Sequence, residues 1–228
     1  MSRYFYYQEA ASLWSEIRKY ISPTDVVVDI GPGIKPMSFF HPKIHFMVEP
    51  CAEYRAVLYE RFRADKKVFV LSDFANVMLP CLANDFCDSV FMLDLIEHLT
   101  KEDGLLLLKH AERIAREQIV IFTPLGFMPQ HMEDGELDGW GMHGVQYQEH
   151  RSGWLPDDFG QGWDFHICET FHAVDFRQET LKEPHGAFFA IKNIKGKAVA
   201  PLYNDTARLL ANAMHVIQLQ KKLLRHQA

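Results

Sequence analysis

Asp25-Val-Val-Val-Asp-Ile-Gly-Pro-Gly33 decides the architecture of this 228-residue chain. A β-branched run with Pro23 before it and two glycines after it is a short buried strand that ends in a tight turn. Glycine is needed in such a turn because a Cβ would block both the reversal and the close approach of a ligand to bare backbone. Outward from it, the chain alternates between two hydrophobic periods. Gln8 to Tyr20 places Leu13, Trp14 and Ile17 at helical spacing. Ile44 to Glu49, Val68 to Leu71, Asp88 to Leu93 and Gln118 to Phe122 read as further strands. Ala52 to Arg63 and Thr100 to Arg116 read as helices between them. Nearly continuous apolar strands separated by helices imply an α/β fold, a doubly wound, Rossmann-like, mostly parallel sheet with helices on both faces.

The regular pattern stops after Thr123-Pro124. Residues 125–159 are rich in Gly, His, Met, Trp and acidic side chains without a period. So long a loop in a compact domain is functional or disordered, and its aromatic content argues for order. Runs at Phe165 to Phe176 and Ala187 to Asn193 follow, and Pro184-His-Gly186 is expected to join them as an antiparallel hairpin. Thr206 to Leu224 reads as a helix whose Lys221, Lys222 and Arg225 suit its negative end. The expectation is one domain over 1–228, with 125–159 as a substrate-side lid and 206–224 as a terminal helix whose apolar stripe could serve a homodimer.

Composition bounds the function. Hydrophobic residues make up 48% and charged residues 24% of the chain, an ordinary globular balance. A formal net charge of -6 without a basic run in the body of the chain disfavours a nucleic-acid partner. Cys51, Cys81, Cys87 and Cys168 lack CxxC spacing, so neither a disulfide frame nor a zinc site is expected. No signal-peptide core or membrane-length apolar run is present, and a cytoplasmic location is expected. His131, Glu133 and Asp134 have no recognised ligand spacing, and no metal is expected from them.

Three further positions carry chemistry. Glu49, at the tip of the second strand beside the glycine turn, can accept hydrogen bonds from both hydroxyls of a ribose, or be a solvated strand-end acid. Asp73 after the third strand can accept from the amino group of an adenine while Phe74 covers the ring. Asp73 could equally cap the helix expected over Ala75 to Cys81. Lys35-Pro36 stands where a dinucleotide fingerprint has its third glycine, which counts against a bound pyrophosphate and much less against a cofactor without phosphate.

Together, Asp29-Ile-Gly-Pro-Gly33, Glu49, Asp73 and Leu93-Asp-Leu-Ile-Glu-His-Leu99 resemble class I S-adenosylmethionine-dependent methyltransferases, the type in which a DxGxG strand is followed by an IEHL segment (methyltransferase-11/23-like). The resemblance covers roughly Val26 to Pro124. It implies a seven-stranded sheet whose last pair is the antiparallel hairpin. It implies S-adenosylmethionine as methyl donor and S-adenosylhomocysteine as product. Asp29, Gly31 and Gly33 would border the methionine part, Glu49 the ribose, Asp73 and Phe74 the adenine, and Leu93, Asp94 and Leu95 the region near the sulfonium. Pro32 and Ile34-Lys35 depart from the small residues the family often has in this loop.

Methyl transfer needs the acceptor aligned with the methyl and water kept out; a hydroxyl acceptor also needs a base. The insertion supplies His143 and His150 as candidate bases and Arg151 and Trp154 as candidate substrate contacts, and His98 is a third candidate base, each with packing as the competing role. The expected reaction is methylation of a small polar molecule, a sugar or other hydroxylated metabolite, on oxygen or nitrogen. A nicotinamide oxidoreductase and a non-catalytic cofactor-binding module are the alternatives.

Overall fold

The structure is a computed structural model that describes residues 1–131, 133 and 135–194. The helix expected at 206–224, with the homodimer argued from it, and Asp134 lie outside the described residues. Eight strands and four α-helices follow in the order β1 (Arg3–Tyr7), α1 (Ala10–Ile17), β2 (Val26–Ile30), β3 (Ile44–Val48), α2 (Ala52–Phe62), β4 (Val68–Leu71), α3 (Ala75–Met78), β5 (Cys87–Leu93), α4 (Lys101–Ile114), β6 (Ala115–Pro124), β7 (Trp163–Val174) and β8 (Thr180–Asn193). They form one sheet in the order β1-β7-β8-β6-β5-β2-β3-β4, in which β8 runs antiparallel to both its neighbours. The expected α/β sheet with an antiparallel C-terminal hairpin is present.

Alternation on the central strands explains the two-faced core. Val26, Val28 and Ile30 join Phe46, Val90, Leu107 and Trp154 on one face. Val27 and Phe91 join Leu13, Ile17 and Met37 on the other. α4 is terminated by the chain itself: Ala115 and Arg116, expected at its end, already have strand geometry in β6. Thr100 starts α4 by accepting a hydrogen bond from Asp103 N at 3.2 Å.

Two expectations are corrected. The sheet has eight strands among the described residues, because Tyr4-Phe-Tyr-Tyr7, outside every strand expected from the sequence, pairs in parallel with Phe165 to Cys168 of β7. Phe5 stacks on His166 with centroids 4.5 Å apart, and Arg3 pairs with Asp164. The hairpin turn lies at Asp175 to Glu179, where the Asp175 side chain accepts from Arg177 N and Glu179 N at 2.9 Å each. Pro184-His-Gly186 falls inside β8, next to irregular registers that tolerate a residue without an N–H.

The chain passes from β2 outward to β3 and β4, then returns to β5 on the other side of β2. Between β2 and β5 is therefore the point at which strand order reverses, and ligands of open α/β sheets bind outside the carboxyl ends of the strands there.

Candidate active site

Four strand tips converge at that point. Gly31 and Gly33 adopt left-handed φ values of 63° and 55° directly after β2. Gly31 N donates to Val48 O at 2.9 Å, which ties the turn to the end of β3. A Cβ on Gly31 would lie 2.5 Å from Leu95 Cδ1, and one on Gly33 2.5 Å from the Trp140 ring. Glycine is thus required at both positions. The turn is covered by these two side chains, one from the loop after β5 and one from the insertion. No helix begins at it: residues 34–43 are irregular, in keeping with Pro36 and Pro42.

Glu49 stands beside the turn and is 3% exposed. Its Oε2 accepts from Gly33 N at 2.9 Å and its Oε1 from Cys51 N at 2.8 Å. Burial pushes its carboxyl up, and the two backbone N–H groups pull it partly back. Asp29 is 1% exposed; its Oδ2 accepts from Met37 N at 2.8 Å and lies 3.3 Å from His45 Nε2. Its visible work is to hold the loop from Gly31 to Pro42. Asp73 accepts from Phe74 N at 2.8 Å; Phe74 occupies the N-cap position of α3, and no side chain caps that helix. Phe74 is half-exposed, with its ring 6.1 Å from that of Tyr147.

After β5, Leu93 leads to Asp94, whose φ of 51° is rare for a residue with a side chain. Asp94 opens onto the cavity, where surrounding protein pushes its carboxyl up and the Lys35 ammonium draws it down. Glu97 follows in a 3-10 turn, Ile96–His98, and is 2% exposed. Thr123 Oγ1 donates to Glu97 Oε2 at 2.9 Å. Burial, and secondly the charge of Asp94, holds the Glu97 carboxyl well above its usual range. His98 Nδ1 lies 3.2 Å from Glu149 O, and burial pushes this imidazole down to about 4. His150 Nδ1 lies 2.6 Å from Met128 O, and burial likewise lowers it. The two rings meet edge-on with centroids 4.9 Å apart.

The insertion is fastened at both ends. Arg151 N and Ser152 N donate to Glu97 O at 2.7 and 3.0 Å, and Trp154 Nε1 donates to Ile96 O at 3.0 Å. At the other end Tyr54 of α2 bonds to Asp138, whose Oδ1 accepts from Trp140 N at 2.8 Å and Met142 N at 3.0 Å. A Cβ on Gly144 would sit 1.9 Å from Tyr54 Oη, so that residue must be glycine for the insertion to lie on α2.

Together these elements enclose a cavity of about 1140 Å³. Pockets for one ligand run to about 1,000 Å³ at most, so it can hold two small molecules. Gly31, Gly33, Glu49, Phe74, Leu93, Asp94 and Leu95 line it, as do His98, His150 and Arg151. Asp29, Asp73, His143 and Trp154 do not. His143 is a surface residue whose Nδ1 lies 3.1 Å from Glu53 Oε1. Trp154 is fully buried against Gly104, with Lys101 Nζ 3.9 Å above its ring centroid. The structure adds wall residues the sequence did not suggest: Arg18, directly after α1, and His172 of β7. Nothing in the sequence marks them, because only folding brings α1 and the hairpin to this rim.

No protein-family model and no curated protein sequence matches the chain. Solved structures do. A SAM-dependent methyltransferase from Archaeoglobus fulgidus aligns over 81% of this chain and 92% of its own, at 18% identity and a TM-score of 0.50. TehB from Haemophilus influenzae aligns over 80% of this chain at 14% identity and a TM-score of 0.53; the alignment spans 62% of TehB. The N-methyltransferase NodS from Bradyrhizobium japonicum WM9, crystallised with S-adenosyl-L-homocysteine, aligns over 82% of this chain and 86% of its own at 9% identity and a TM-score of 0.51. The chain has the fold of the class I SAM-dependent methyltransferases.

Proposed function

We propose that the protein is an S-adenosylmethionine-dependent methyltransferase acting on a small polar molecule. One observation carries the reading: the Glu49 carboxylate and the Gly31–Gly33 turn, joined by the 2.9 Å bond from Gly33 N, lie side by side on the wall of a cavity at the strand-order reversal. A carboxylate has about four lone-pair sites, and backbone occupies two of Glu49's, leaving capacity for ribose hydroxyls. In this reading Phe74 covers an adenine and Leu93, Asp94 and Leu95 border the remainder, while Asp29 and Asp73, which do not line the cavity, act through the loops they hold. The bound donor supplies a methyl group activated by a sulfonium. The chain's own residues orient the acceptor and keep water away, with Trp140 and the insertion as cover. A dinucleotide is disfavoured because no helix N-terminus stands at the glycine turn to receive a pyrophosphate.

His98 and His150 reach the cavity and are the candidates for proton handling in this reading; Arg151 and Arg18 suit a polar or anionic acceptor. Among the described residues no helix is long and apolar enough to cross a membrane. Calorimetric titration with S-adenosylmethionine and S-adenosylhomocysteine tests the proposal. Micromolar, one-to-one binding of both is expected, and binding of neither ends it.

A further inference from the structure

We propose that Glu97, His98 and His150 bind one divalent transition-metal cation on the wall of the cavity. One ligand-type atom from each residue lies within 4.8 Å of the other two. Atoms that share an ion at about 2.1 Å stand about 3.4 Å apart. Closing the triad on a cation therefore takes side-chain shifts of about 1 Å, with no change of fold.

Two independent features mark this cluster as a site. First, Glu97 is a buried carboxyl that accepts from the neutral Thr123 hydroxyl and has no ion-pair partner among the described residues. A carboxyl buried without a cation keeps its proton to avoid the cost of a bare charge, and a bound metal would take the place of that proton. Second, each histidine commits its Nδ1 to a backbone carbonyl, Glu149 O or Met128 O. That outer bond fixes the tautomer and orientation of metal-ligating imidazoles and makes the other ring nitrogen the ligand atom. The frame is pre-set as well, since the Arg151 and Ser152 amides bind the Glu97 carbonyl and His150 N donates to Gln130 O at 3.3 Å. Two imidazoles and one carboxylate suit zinc, iron, cobalt or manganese better than calcium or magnesium, which favour all-oxygen shells.

A three-ligand set leaves coordination positions open toward the cavity. Resting on the methyltransferase reading, those positions would take the hydroxyl of the acceptor and lower its pKa. The hydroxyl proton leaves to solvent, an oxygen lone pair forms the new O–CH3 bond, and the S–CH3 bonding pair stays on sulfur to give the neutral thioether. The acceptor is then an alcohol or phenol.

The test uses the full chain without an affinity tag, dialysed against a chelator and titrated with Zn(II), and separately with Co(II), whose visible absorption reports imidazole coordination. One equivalent is expected to bind. Glu97→Gln and His150→Gln are each expected to weaken binding at least tenfold, while His143→Gln, which removes the exposed histidine beside Glu53, leaves it unchanged. Glu97→Gln is nearly isosteric and keeps an acceptor for the Thr123 hydroxyl, so the metal-free variant should melt close to the parent, which separates ligand loss from misfolding. No saturable binding, or binding unchanged in both triad variants, overturns the site. S-adenosylhomocysteine binding is measured on the same samples: if it persists without metal binding, the cation site alone fails. If metal binds and the nucleoside does not, the methyltransferase reading alone fails.

Discussion

Glu49 has two tasks that a substitution can separate. In the structure it clamps the glycine turn and the start of α2 through Gly33 N and Cys51 N; in the proposed reaction it also receives the ribose. Glu49→Gln keeps one acceptor oxygen and sets an amide against one of the N–H donors. Losing a charge-assisted bond and leaving one donor unpaired should cost about 1–2 kcal/mol of stability. Affinity for S-adenosylhomocysteine should fall at least tenfold if the ribose also uses this carboxylate. Urea denaturation and calorimetry read the two effects separately, and lowered stability with unchanged affinity would leave Glu49 a structural clamp only. Asp29 shows why a motif acid is hard to assign from sequence. Its position after a β-branched run is visible, but the bonds to Met37 N, eight residues on, and His45, sixteen residues on, appear only once the loop is folded.

The insertion acts as an element although it has little regular structure. Its hold on α2 runs through Tyr54, Asp138 and the bare Gly144, and its hold on the sheet through Glu97 O and Ile96 O. Gly144→Ala would press a methyl onto the Tyr54 hydroxyl and should cost about 1–3 kcal/mol while freeing the segment around Trp140. Trp140 rests on Gly33, so a nucleoside entering there must displace or cover the indole. Intrinsic fluorescence is therefore expected to change on adding S-adenosylhomocysteine, and the change should vanish in Trp140→Phe while binding remains. An undiminished signal in that variant would place the ligand away from the turn. That residues 125–159 cover the site could be argued from their length and aromatics. Which side chains face inward could not, because without a period there is no face to assign: His150 lines the cavity and His143, seven residues earlier, does not.

At the scale of the whole molecule, the central strands were legible because burial on both faces leaves a nearly continuous apolar signature, as in Val26–Ile30 and Ile44–Val48. The periphery was not. β1 is an edge strand with alternating partial exposure, and the hairpin turn uses Asp175 and Gln178 where Pro184-His-Gly186 gave the stronger turn signal. That edge has a consequence for pH. His166 of β7 is fully buried between Phe5, Tyr7 and Tyr20, with Tyr7 Oη 2.8 Å from its Nδ1, and burial pushes the imidazole from 6.5 down to about 4. A histidine lowered on folding is more readily protonated in the unfolded chain, so its stabilisation is complete above pH 6.5 and is lost as pH falls from 6.5 to about 4. After allowing for solvent screening the loss should be about 2 kcal/mol. His166→Phe keeps the stack on Phe5 and removes the titration. Urea midpoints at pH 7.5 and 5.0 should therefore differ less in the variant than in the parent, with the other buried histidines sustaining the remaining slope. Equal differences in both proteins would show that β1 docks without any protonation cost at His166.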